Sequence, residues 1–244
     1  MNVFIGIFGF IYKLYIALVF IISMLLYYLP ILILKQKEST KKATFKVFLM
    51  WSWTVRIFAF VHVKFIRKVS LPKGPYIIIS NHASYFDIFL MYSIFPQHEF
   101  LFLGKSEILN YPLVKTFFKD LNIPVYRKDR LKAAKSFVTA KKSVSNGWSL
   151  VIFPEGGIPD DNLPNMKEFK DGAFKLAKAA NVPLVPVSFL NNYKLFSDPD
   201  KLLGEAHPGI SKVYQHDIIY PEKIEHLSVD ELKEYCFNLI ASKL

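Results

Sequence analysis

Tyr76-Ile77-Ile78-Ile79-Ser80-Asn81-His82-Ala83-Ser84-Tyr85-Phe86-Asp87 is an apolar run that stops at a cluster of polar residues. Its first half reads as a buried strand, so His82 and Asp87 sit where that strand gives way to a loop or helix. Strand ends are where α/β folds present their chemistry. A carboxylate five residues after a histidine can hold the imidazole in one tautomer, so that the other ring nitrogen can take a proton. Equally, His82 can cap a strand and Asp87 the helix that follows, and these residues alone favour that simpler reading.

A second stretch has the same form. Ser149-Leu150-Val151-Ile152-Phe153 is apolar and ends in Pro154-Glu155-Gly156-Gly157. Proline stops a ladder, the glutamate puts a charge at the strand end, and paired glycines let backbone come close to a ligand. Two polar clusters at the ends of two buried strands suggest one shared site. Further strand-like runs, Glu99–Leu103, Ile123–Tyr126 and Leu184–Phe189, alternate with helical patterns. The expected class is α/β, with a mixed, largely parallel sheet covered by helices.

Asp129–Asn146 reads as a helix capped by Asp129 and ended by Gly147, with Leu131, Ala134 and Val138 marking its apolar face. Its other face carries Arg130, Lys132, Lys135, Lys141 and Lys142. That face reads as solvated, with docking of an acidic carrier protein as the alternative. Ser228 and Glu231 form a capping box for a last helix. Leu195–Pro208 reads as a surface loop over the site. The lone Cys236 excludes a disulfide framework and a cysteine metal site, and is expected in the core.

Of 244 residues, 52% are apolar and 16% aromatic, more than a soluble domain needs, so part of this surface should face lipid. Met1–Leu34 holds one charge, Lys13, and Leu14–Leu34 is long enough to cross a hydrocarbon core of about 30 Å. With no basic start and no cleavage site after it, this reads as a retained anchor. Pro30 complicates a simple span. A second run, Val47–Phe65, interrupted by Arg56, His62 and Lys64, suits the membrane interface better. Span and monotopic hairpin both stay open. Lys35, Lys37, Lys41, Lys42 and Lys46 between the two runs put that linker, and the active site, on the cytoplasmic side. The division expected is residues 1–67 for the membrane part and 68–244 for the α/β domain. A net charge of +11 spread around apolar runs fits anionic lipid better than nucleic acid, for which no motif stands out.

Four ordered blocks carry a family resemblance across roughly Lys68–Phe189. Asn81, His82 and Asp87 form Asn-His-x4-Asp, and Ile123–Arg127 is an apolar stretch ending in arginine. Phe153–Gly156 is Phe-Pro-Glu-Gly. Val182–Val187 is a Val-Pro-x-Val-Pro-Val block, preceded by Phe169–Phe174. In these blocks the chain resembles the glycerolipid acyltransferases, the family that acylates 1-acylglycerol-3-phosphate. The resemblance implies acyl transfer from acyl-CoA or an acyl carrier protein thioester to 1-acyl-sn-glycerol-3-phosphate, giving phosphatidic acid. It implies His82 as general base oriented by Asp87, and acceptor binding by Glu155, Gly156 and Arg127, with Asn81 and Lys105 as further substrate-binding candidates. The chain departs from the family pattern after Glu-Gly. Thr-Arg is usual there, and Gly157-Ile158 stand in its place, so a phosphate-pairing guanidinium is missing. Either Arg127 and its neighbours carry that charge or the acceptor is another lyso-lipid, such as a lyso-aminolipid.

No cofactor is expected. The six histidines are scattered without metal-ligand spacing, and no Gly-x-Ser-x-Gly elbow offers a covalent nucleophile, which leaves Ser84 as a loop hydroxyl. A thioesterase would use the same His82 and Asp87 with water, but would have no need of an anchor. A non-catalytic membrane adaptor would leave the clustering of His, Asp and Glu at strand ends without a purpose.

Overall fold

The computed structural model describes residues 3–159 and 163–244. In chain order the elements are α1 (Val3–Leu34), α2 (Glu38–Phe58), β1 (Val61–Arg67), β2 (Ile77–Ser80), α3 (Phe86–Ile94) and β3 (Phe100–Lys105). After a short 3-10 turn come α4 (Pro112–Leu121), β4 (Ile123–Val125), α5 (Arg130–Ser145), β5 (Ser149–Ile152), α6 (Gly172–Ala180) and β6 (Leu184–Phe189). The chain ends with α7 (Asn192–Leu195), β7 (Gly209–Gln215), α8 (Pro221–His226) and α9 (Val229–Ala241).

Among the described residues seven strands form one sheet, in the order β1-β7-β6-β2-β5-β3-β4. From β6 to β4 every pair is parallel, and β1 and β7 run parallel to each other but antiparallel to β6. The five expected strands are present, and the sheet is mixed and largely parallel. β1 and β7 add to it. β1 lies within the stretch that the sequence assigned to the membrane part, yet it pairs along its length with β7, so the sheet begins at Val61. The second apolar run is therefore not one interfacial segment. Its helix stops at Phe58, Phe60 takes a left-handed conformation (φ 52°), and the chain turns into β1.

The buried strands explain why their runs read as continuous apolar sequence: helices cover both faces. Ile78 points with Val151 and Val185 into a core under α1–α4. Ile77 and Ile79 point the other way, with Leu150 and Ile152, against Phe174, Leu176, Leu232 and Cys236 of α6 and α9. Burial of each such side chain contributes roughly 1.5–3 kcal/mol. Much of the aromatic content expected at the lipid is instead packed in the first core, where Phe20, Phe48, Phe89 and Phe117 surround Trp51.

α5 has the expected limits, and Asp129 caps it by accepting the Lys132 amide at 3.0 Å. The expected buried face is wrong. Leu131 and Val138 are 79% and 66% exposed, and Ala134 is exposed as well. Ser136, Ala140 and Val144 face the sheet instead. Small residues at that spacing let the helix approach closely, and the Ser136 hydroxyl donates to the Pro124 carbonyl at 2.6 Å. The Ser228–Glu231 capping box opens α9 as expected.

α1 is continuous through Pro30 and lies along the domain. One face, with Tyr12, Ile16, Met24 and Ile31, is buried, while the opposite face stays apolar and exposed. Its lone charge, Lys13, donates to the carbonyls of Asp198 and Lys201, at 3.0 and 2.6 Å. Just beyond its other end Lys35 pairs with Asp120 at 2.7 Å.

Candidate active site

Register builds the site. Ile79 on β2 pairs with Ile152 on β5, so His82 and Glu155 each lie three residues past a paired position at the carboxyl ends of neighbouring strands. On the other side of β2, Ser80 pairs with Val187 of β6. Asn81 continues that junction: its side-chain amide donates to the Phe189 carbonyl (3.0 Å) and its oxygen accepts the Phe189 amide (2.8 Å). Asn81 is buried with both polar ends engaged. Through these two bonds it clamps the His82 loop to β6.

His82 Nδ1 meets Asp87 Oδ2 at 3.0 Å, and the ring stacks on Phe153 with centroids 4.2 Å apart. A carboxylate only accepts, so Nδ1 carries the proton and Nε2 is the basic nitrogen. Nε2 has no protein partner among the described residues. Asp87 is wholly buried. Its Oδ2 also accepts the amides of Ala83 (2.7 Å) and Ser84 (2.9 Å), and its Oδ1 accepts from Asn192 Nδ2 at 2.7 Å. Asn192 Oδ1 in turn accepts from the Ser211 hydroxyl at 2.6 Å. Asp87 thus ties the turn before α3 to His82 through the amides of Ala83 and Ser84, without capping the helix itself. Ser84 is a loop hydroxyl: it donates to the Phe196 carbonyl at 2.7 Å and accepts the Phe86 amide.

Glu155 sits behind this arrangement. Oε1 accepts the His82 amide at 2.7 Å and Oε2 the Lys167 amide at 2.8 Å. Both carboxylate oxygens hold backbone, so Glu155 positions the His82 loop. Burial pushes its pKa up to about 7, against the two amide bonds, which favour the charged form. The sign follows from that rise. Between pH 4.5 and 7 the folded state holds a proton that the unfolded state has lost, so this group's contribution to stability falls as pH climbs through that window. Glu155→Gln should remove the slope in that window and orphan one of the two amides, because its NH₂ would face an N–H. An orphaned buried amide costs about 1–3 kcal/mol. Urea unfolding at pH 5 and pH 8, with kcat measured in parallel, checks both parts.

The cations expected at an acceptor site do converge. Gly156 has φ 78°, in the left-handed region, and a side chain there would strike the Arg127 guanidinium. Arg127 donates to the Gly156 carbonyl at 2.7 Å, and Lys105 Nζ lies against Gly157. Two lysines that the sequence reading passed over join them. Lys167 Nζ reaches the Ile158 carbonyl at 3.0 Å, at the residue where the usual arginine is absent. Arg127 foremost, then burial, Lys105 and Lys167 hold the Lys170 pKa below the usual lysine range. Cations crowded closely enough to depress the Lys170 pKa make a receptive place for an anion. Lys170 was within the quoted Phe169–Phe174 stretch and could have been found there. Asn192 follows β6 as His82 follows β2, and that parallel was its only signal. Ser211, inside a strand whose alternation went unread, had none.

The protein's relatives fit this geometry. A family model described as Acyltransferase matches residues 61–190, just over half of the chain. The 1-acyl-sn-glycerol-3-phosphate acyltransferase of Saccharomyces cerevisiae is 32% identical over 189 residues, 72% of this chain and 61% of the yeast protein. A Chlamydomonas reinhardtii protein of the same description is 27% identical over 174 residues, 71% of this chain and 49% of its own length. The chain thus spans about half to three-fifths of the curated relatives it matches. In fold it resembles the crystal structure of the 1-acyl-sn-glycerophosphate acyltransferase PlsC from Thermotoga maritima, with a TM-score of 0.74 and 23% identity, covering 97% of this chain and 93% of that one.

Proposed function

Since this chain belongs to the acyltransferase family, we propose that it moves a fatty acyl group from an acyl thioester to the free hydroxyl of 1-acyl-sn-glycerol-3-phosphate. The observation that carries this reading is one site holding a carboxylate-oriented imidazole and, across the Glu155–Gly157 turn, a cluster of Lys105, Arg127, Lys167 and Lys170. An alcohol is a poor nucleophile at neutral pH, so His82 Nε2 takes its proton as the oxygen attacks the thioester carbonyl. Asp87 stabilises the imidazolium. The thiolate leaves and takes up the proton, and no acyl-enzyme is needed. The cation cluster fixes the acceptor by its phosphate and makes up for Ile158, where the family's usual arginine would stand. The donor is acyl-CoA or an acyl carrier protein thioester. Incubating the purified chain with one labelled acyl thioester and a panel of lyso-lipids tests the proposal. Transfer to lysophosphatidate supports it, preference for a lyso-aminolipid moves the acceptor assignment, and thioester loss without any acceptor points to a thioesterase.

The cluster gives a sharper expectation. A charge-assisted hydrogen bond contributes about 1.5–3 kcal/mol, so Arg127→Ala should raise the apparent KM for lysophosphatidate roughly ten- to a hundred-fold. Lys170→Ala should act in the same direction more weakly, and the KM for the donor should move little in either. Steady-state kinetics with each substrate varied separately reads the split.

The membrane reading is monotopic. Lys13 and Lys35 both bond to the α/β domain, and at 1.5 Å per residue they are about 33 Å apart along the chain. That matches the thickness of a hydrocarbon core. A helix crossing the core could not keep both ends on one domain. α1 therefore lies in one leaflet with its exposed face in lipid, and the site opens to the cytoplasm beside it. In sealed vesicles an impermeant maleimide should reach Lys37→Cys and a cysteine in a polar tag joined to Met1 from the same side; labelling from opposite sides would restore a span.

A further inference from the structure

Arg56 lies in the last turn of α2, and only 9% of it reaches solvent. Its guanidinium stands 4.3 Å over the Trp53 ring. Otherwise it borders an apolar pocket of Val55, Ala59, Val61, Phe86, Phe89 and Leu90. Nε has no hydrogen-bond partner, and no carboxylate pairs with the group among the described residues. Burial, with no neighbouring charge, lowers its pKa. A guanidinium carries five N–H donors and stays charged, so burying its Nε without an acceptor is costly. The carbonyls at the end of α2 supply only a fraction of a compensating charge.

The surroundings say what anion fits. Trp53, Ile57, Phe58 and Phe60 are exposed and apolar, and α2 packs beside the lipid-facing α1. A small soluble anion would leave those four side chains in water. An amphiphile covers them with its chains while its headgroup reaches the guanidinium. The β1 end of the sheet is also the edge opposite β4, which leads to Arg127, so the acceptor cluster is elsewhere. We infer that Arg56 and Trp53 form a binding site for the phosphate of an anionic membrane lipid, distinct from the acceptor site. The floor of the site is α3, the helix that carries Asp87, and the Ser52 hydroxyl already ties α2 to it through the Phe89 carbonyl. A bound headgroup clamps α2 onto that helix.

The inference rests on the membrane placement of α1 and α2 and not on the acyl-transfer chemistry. Thermal unfolding of the full chain in neutral detergent tests it, with phosphatidylglycerol, phosphatidylcholine or inorganic phosphate added. Salt at about 0.5 M suppresses diffuse attraction to surface lysines and leaves a buried pair largely intact. At about a hundred-fold excess over Kd, phosphatidylglycerol should raise the wild-type Tm by roughly 5–10 °C. The other two additives should not. Arg56→Gln and Arg56→Leu should lose the increment, and Arg56→Leu should unfold no earlier than wild type without lipid, since removing an unpaired buried charge is neutral or stabilising. Lys135→Ala/Lys142→Ala, on the exposed face of α5, should keep the increment. An increment that persists in both Arg56 variants, or that inorganic phosphate reproduces, overturns the site. Flotation with phosphatidylcholine vesicles reads the premise separately: a wild-type chain that does not float removes the membrane placement and this site with it.

Discussion

His82→Ala is expected to give a folded, membrane-bound protein whose acyl transfer is slowed by at least about 10²–10⁴-fold, the usual contribution of a general base. The fold should tolerate the change because the imidazole is held from outside. Among the described residues its Nδ1 bonds only to Asp87, whose Oδ2 keeps the amides of Ala83 and Ser84, and Glu155 and Asn81 hold backbone on either side of the ring. The ring's stacking on Phe153 is lost, which costs packing but no buried donor. The loss should fall on kcat, with little change in the KM for lysophosphatidate, because the cation cluster is made by other residues. Single-turnover assays with labelled thioester, beside a far-UV spectrum and a melting curve, make the comparison. A folded variant that transfers acyl groups at near the wild-type rate would end the general-base assignment.

How far the sequence could be read follows from what each residue answers to. β2, β5 and β6 were legible because strands covered on both faces are apolar throughout, and their polar ends stood out against that background. β1 was hidden since its apolar residues continue the run of α2, and only the left-handed turn at Phe60 separates the two. β7, at Gly209–Gln215, alternates as a half-covered strand does, and its serine and glutamine obscured that alternation. The contacts of Asn81 and Glu155 were not legible for one shared reason. Motif position places a residue near a site, but which way its side chain turns depends on partners that lie far off in sequence. Asn81 finds Phe189 across β6, and Glu155 finds His82 and Lys167. The α5 face failed differently. Leu131 and Val138 obey helical spacing, but the close approach to the sheet required the small residues Ser136 and Ala140, and packing overrode hydrophobicity. The departure at Gly157–Ile158 was visible in the sequence, whereas its remedy was not. Lys167 and Lys170 are brought back to the turn only by folding of the segment that follows.

Asp87→Asn should slow transfer by about 10⁴-fold, as in the serine-protease triad, and the network around it explains why this variant isolates charge. Oδ2 faces three N–H donors, so the carboxamide oxygen must take that place. Its NH₂ then faces Asn192, whose own amide donates there in the wild type. Asn192 can flip to present its oxygen, which turns its NH₂ toward Ser211, and that hydroxyl can rotate to accept. Every buried group finds a partner again, so stability should fall little while the imidazolium loses its counter-charge. Asp87→Ala has no such remedy: it strips the acceptor from the amides of Ala83 and Ser84 and from Asn192, at about 1–3 kcal/mol for each orphaned group. Asn192→Leu in an Asp87→Asn background blocks the flip's return path and leaves the new NH₂ unpaired, so that double variant should be clearly less stable than Asp87→Asn alone. Urea unfolding of the three variants beside their kcat values separates the two effects. If Asp87→Asn instead loses stability as heavily as Asp87→Ala, the Asn192–Ser211 chain does not reorganise, and the lost rate can no longer be assigned to the carboxylate's charge.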